Sequence, residues 1–156
     1  MKPVTADPVV RASWWGTGVF SVVSVAAAVT PSVFSTFAVA VDTVLFLSGC
    51  VLFGISFLRA VGRSRTDAIG IGGLYFLAGD TAPAAIRKAL LGSLAVEVVV
   101  ALGTAFARPY TNLAAGVLVP VYGVGLCGLW ASKHGTFGPR TSGTSERDDG
   151  VAQGGD

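Results

Sequence analysis

Two carboxylates stand where so apolar a sequence can least tolerate them: Glu97 in Leu94-Ala95-Val96-Glu97-Val98-Val99 and Asp42 in Val39-Ala40-Val41-Asp42-Thr43. A charged group at the centre of a membrane helix costs about 2.5–3.5 kcal/mol on insertion scales, so such residues face protein or water. At helical spacing Ser93, Glu97, Ala101, Thr104 and Arg108 share one face, with Val99, Leu102 and Phe106 opposite. The small, polar stripe is therefore expected to turn inward and to carry Glu97 with it. Two chemistries are open to such a residue. One is structural, a protonated Glu97 hydrogen-bonded across helices to Ser48 or Tyr122 at similar depth. The other is a proton- or cation-binding site built from the same three side chains. The structural reading carries more weight, because one buried carboxylate without a partner motif is weak evidence of transport. Asp42 reads as lying a turn or two from the outer end of its span. Arg108 closes the next span on that side, so an outer Asp42–Arg108 ion pair is expected.

No other residues assemble into a recognisable centre. Cys50 and Cys127 lie in apolar runs without a CxxC or Cys/His arrangement, and read as small packing residues. His134 is the only histidine and stands beside Lys133 with no carboxylate cluster near it, so neither a metal nor a cofactor is expected. Gly70-Ile71-Gly72-Gly73 follows no strand and precedes no GKT or GKS, which argues against a nucleotide loop. A Ser/His/Asp or Cys/His set for nucleophilic catalysis is not evident, and a net charge of +2 gives no reason to expect nucleic acid. The expectation is a protein that is not an enzyme.

The elements that must hold these side chains follow from the distribution of charge. The 156-residue chain is 52% hydrophobic and only 13% charged, against about 25% charged in an ordinary soluble domain. No charge falls between Arg11 and Asp42 or between Arg108 and Lys133. About 20 mostly apolar residues cross the hydrocarbon core, and several windows reach that length. The reading is an all-α integral membrane bundle of four transmembrane helices, at about 14–30, 37–58, 84–107 and 113–131. Residues 1–12 form a flexible arm and 135–156 a disordered, polar tail. A cleaved signal peptide competes for the first run, given Arg11 and the small residues Ala26-Ala27-Ala28. Between the second and third spans, Ala68 to Ala78 is too short and glycine-rich to cross. It is expected to lie at the interface on Tyr75 and Phe76, with a re-entrant loop as the sharper alternative. Pro83 suits the first turn of the third span, and Pro120 should kink the fourth.

Ten of the 11 Lys and Arg residues fall on one side of this arrangement, which places both termini in the cytoplasm. Of these, Arg59, Arg63, Arg65, Arg87 and Lys88 could hold anionic lipid headgroups, although topology alone explains them. The short Ala/Val/Gly-rich chain with a charged tail resembles many small bacterial membrane proteins, which implies a cell-membrane location and nothing about mechanism. Gly116, Pro120, Gly123 and Cys127 line one face of the fourth span, where small residues allow close helix approach. Packing within the bundle is the ordinary use of such a face. A seam for a partner protein or a second copy, through Gly116, Gly123 and Cys127, is the alternative. Besides the lipid bilayer, the expected partner is thus another membrane protein, and the expected role a noncatalytic accessory or complex-forming one. A small oligomeric proton- or cation-coupled transporter using Glu97 is the second hypothesis. No internal repeat is evident between the two halves.

Overall fold

The computed structural model describes residues 7–65, 67–107 and 112–138. Helices dominate and no strand occurs among these residues, and four helices are long and apolar enough to cross a membrane. The first, α1 (Pro8–Val29), begins six residues before Trp14. Asp7 and Pro8 are the reason. The Asp7 carboxylate accepts from the Val9 amide at 2.9 Å, and proline at the first position gives up no backbone bond the helix needs. Residues 8–12 of the expected flexible arm are therefore helical, while residues 1–6 lie outside the described residues.

A single residue, Thr30, joins α1 to α2 (Pro31–Arg63). Its amide and its hydroxyl both bond Ala26 O, closing α1, and Pro31 opens α2 rather than merely ending what precedes it. The 33 residues of α2 make a rod about 50 Å long at 1.5 Å per residue. This early start moves Asp42. It sits about three turns inside the helix and is buried, so the expected position near the outer end is corrected.

The segment after α2 forms a one-and-a-half-turn helix, α3 (Ile71–Phe76), closed by Leu77 in the left-handed conformation at φ 52°. Tyr75 is not an interfacial anchor. It is buried, stacks on Phe53 with ring centroids 4.2 Å apart, and donates to Phe53 O at 3.2 Å. Leu74 and Leu77 are buried with it, and only Phe76 of the expected anchors stays exposed. The side chains at 74, 75 and 77 share one buried cluster with Ala60, Leu126, Trp130 and Ala131, so the segment is packed against the bundle, chiefly on the last helix.

After α4 (Ala84–Ala107), the last long element is broken. Asn112–Leu118 is 3-10 helix, Val119 is a buried turn, and α5 runs Pro120–His134. The expected kink within one helix is thus a change of helix type. Pro120 has no N–H to give to the turn above, and occupies the first position of α5, where none is needed.

Like helices run side by side in the same direction. Ser13 and Thr17 of α1 meet Ser93 and Glu97 of α4, a constant separation of 80 residues that only parallel helices give. Likewise Gly49 of α2 faces Tyr122 of α5, and Ser56 faces Gly128. Two helical hairpins, α1–α2 and α4–α5, therefore stand beside one another. At the end where α2 and α5 finish, Trp130 donates to Asp7 at 2.9 Å and the chain past α5 is tied down. Thr136 bonds the Asp80 and Thr81 carbonyls, and the Gly138 carbonyl accepts from Ala68. Residues 135–138 of the expected disordered tail are thus ordered, because Thr136 and Phe137 have partners. Residues 139–156 lie outside the described residues.

Candidate functional site: a buried polar seam

Along α1 the buried positions are Val9 and then Val10, Ser13, Thr17, Phe20, Ser24 and Ala27, the last six spaced alternately by three and four. Those of α4 are Ile86, Leu90, Ser93, Glu97, Ala101 and Thr104. Apart from one extra step of four at Ala101, this is the seven-residue rhythm that keeps two helices facing one another. Polar side chains fill its layers. The Ser13 and Ser93 hydroxyls hydrogen-bond each other, and one turn on the Thr17 hydroxyl donates to Glu97 Oε1 at 2.8 Å. Ser24 and Thr104 are also buried further along.

Glu97 is wholly enclosed, with 0% of its surface exposed. Its Oε2 has no hydrogen-bond partner of full geometry among the described residues, and the nearest donor it faces is the Gly123 backbone in the first turn of α5. Space is the reason Gly123 is glycine, since a Cβ there would lie 2.7 Å from that oxygen. Asp42, 4% exposed, repeats the arrangement on α2. Its Oδ1 lacks a partner among the described residues, and Oδ2 would be 3.4 Å from a Cβ on Gly116. The broken last element thus turns one glycine towards each buried carboxylate. Gly116, Gly123 and Cys127 are all buried within the chain, so the seam for a partner through these three residues is corrected to packing inside the bundle.

Other expected contacts fall elsewhere. Ser48 donates to Val44 O of its own helix at 2.7 Å, which is how a helical serine commonly satisfies its hydroxyl. Tyr122 points its hydroxyl to Ala12 O at 3.0 Å, with its ring against Gly16. Neither hydrogen-bonds Glu97. Arg108 lies outside the described residues, and with it the proposed pairing to Asp42. The five basic residues differ in what they contact. Arg63 bonds Asp67 at 2.9 Å, donates to the Ser132 and Gly135 carbonyls, and lies over the Phe137 ring, so it clamps α2 to the end of α5. Arg87 donates to Gly79 O at 2.9 Å, while Arg59, Arg65 and Lys88 are exposed.

No protein-family model, curated protein or solved structure matches the chain. Its chemistry must therefore be argued from the residues themselves. Among the described residues no three His, Cys, Asp or Glu side chains stand together as a metal site would require. What the seam offers is a carboxyl group, hydroxyls that both donate and accept, and an enclosing apolar wall.

The partner of Glu97 that sequence reasoning missed is Thr17, with Ser13 beside it. The signal was present as the spacing of Ser13, Thr17 and Ser24 in a run of Val, Ala and Gly. It matches Ser93, Glu97 and Thr104 position for position at a separation of 80.

Proposed function

We propose that the chain is a noncatalytic integral membrane protein that acts by association with another membrane protein. In this reading it crosses a bacterial cell membrane four times with both termini in the cytoplasm. Four long apolar helices support the location, and the basic residues of the α2–α4 connection support the orientation. With the glycine face of α5 turned inward, the observation that carries association is a different one. A cleft of about 480 Å³ opens sideways between α1 and α2. Tyr122 lines it together with the small residues Ala12, Gly16 and Ala40 and the larger Trp15, Val19 and Val44. In lipid, helices associate through packing, and small residues that let backbones approach are what such contacts need. In this reading the cleft seats a few side chains of one transmembrane helix of a partner.

A photo-crosslinking residue at Val44 tests this in native membranes. A discrete protein adduct is expected, and Ala40→Phe, which fills the cleft from an exposed position, should abolish it while leaving helicity intact. Adducts to lipid alone would end the reading.

A further inference from the structure

We infer that Glu97, Thr17 and Ser13 form a reversible proton-binding site in which the Thr17 hydroxyl changes the direction of its hydrogen bond. This goes beyond association and does not depend on it. The hydrogens available at Thr17 are too few for the contacts it makes. Thr17 Oγ1 lies 2.8 Å from Glu97 Oε1 and 2.9 Å from Ser13 O, two oxygens that both stand where an acceptor would. A threonine hydroxyl has one hydrogen and two lone pairs, so it cannot donate to both. With Glu97 ionised, one of the two contacts is left without a proton. With a proton on Oε1, the Glu97 O–H donates to Thr17 Oγ1, the Thr17 O–H donates to Ser13 O, and both contacts are made. Binding forms one O–H bond on Glu97 with a proton drawn from water, and release returns it. No electrons move, and the seam changes by one charge.

The surroundings favour a proton over a metal cation. Hard cations take six or more oxygen ligands, whereas Glu97 Oε1 has one hydroxyl beside it and Oε2 faces the Gly123 backbone, which offers no oxygen ligand set. Facing groups are few. From α1 come only the hydroxyls; from α5 the titratable neighbours are Tyr122 and Cys127; the α2 carboxylate, Asp42, lies against Gly116 instead. Arg87 and Lys88 of α4 are more than two turns away along the helix. The Ser13–Ser93 pair continues the hydroxyl series one turn towards the end where Asp7 and Trp130 meet.

The sequence makes the test direct, because Glu97 and Glu146 are the only glutamates. The full chain, labelled with 13C-glutamate and reconstituted in liposomes, should give two side-chain carboxyl resonances. One disappears in Glu97→Gln and so belongs to Glu97. That resonance should move reversibly between acid and carboxylate positions as the outside pH is varied. Thr17→Val should change the pH at which it moves, and Thr17→Ser, which keeps the hydroxyl, should restore it. A Glu97 resonance that stays at one position at every pH tolerated by the fold would overturn the site. A titration unaltered by Thr17→Val would overturn the hydroxyl switch. Should Glu97→Gln not fold, Glu146→Gln assigns the resonance by elimination.

Discussion

The α1/α4 and α2/α5 contacts both join helices running the same way, yet they are made of different material. Between α1 and α4 side chains do the joining, through Ser13–Ser93 and Thr17–Glu97. Between α2 and α5 there is scarcely room for a side chain. A Cβ on Gly49 would lie 2.5 Å from the Tyr122 amide nitrogen, and one on Gly125 2.7 Å from Gly49 O. The difference teaches where each contact is vulnerable. A backbone contact fails when anything is added, whereas a polar seam fails when one half of a pair is removed.

The largest effect should come from Gly125→Leu. The atoms it meets are the Gly49 and Phe53 backbone and the Leu52 Cβ, none of which can swing aside, so the cost should reach about 3 kcal/mol or more, at the upper end for overpacking. Thermal unfolding in detergent would check it, and a near-wild-type midpoint would mean that α2 and α5 are further apart. Gly123→Ala should cost less, about 1–2 kcal/mol, because its Cβ meets the ends of Glu97 and Leu94 side chains, which can shift. It should also disturb the Glu97 resonance, which Gly125→Leu touches only by unfolding. The smallest effect is expected for Thr17→Val, about 0.6 kcal/mol, the average for hydrogen bonds between membrane helices. A loss as large as that of Gly125→Leu would erase the contrast between the two contacts.

Much of the fold was legible, for reasons that particular residues make plain. Runs of Val, Ala, Leu and Phe long enough to cross a membrane mark the four long helices, and the inward turn of Glu97 follows from the stripe Ser93, Glu97, Ala101 and Thr104. Proline was the main source of error. Pro8, Pro31 and Pro120 each open a helix, while a hydropathy reading treats Pro31 as a break and Pro120 as a kink. A helix that starts at Pro31 rather than near Phe37 carries Asp42 about three turns from its end. The pairing of Glu97 went astray for another reason. Which hydroxyl it meets depends on the order and rotation of helices around the bundle, and a single helix's periodicity carries neither. Ser48 and Tyr122 had plausible depth, but Ser48 bonds its own helix and Tyr122 the Ala12 carbonyl. Tyr75 shows the limit for short segments, since an aromatic beside glycines serves equally as a surface anchor or a plug.

The separation of 80 residues between the halves of the seam has a consequence for how the molecule is made. A ribosome adding about 5–20 residues per second delivers α4 roughly 4–16 s after α1. Through that interval Thr17 has a local acceptor in Ser13 O, so the first hairpin can wait with its hydroxyl occupied. Glu97 has no such bond within its own helix among the described residues; it arrives last and finds its partner already standing. The first hairpin is the template, and the second, with the carboxylate, is what the template receives.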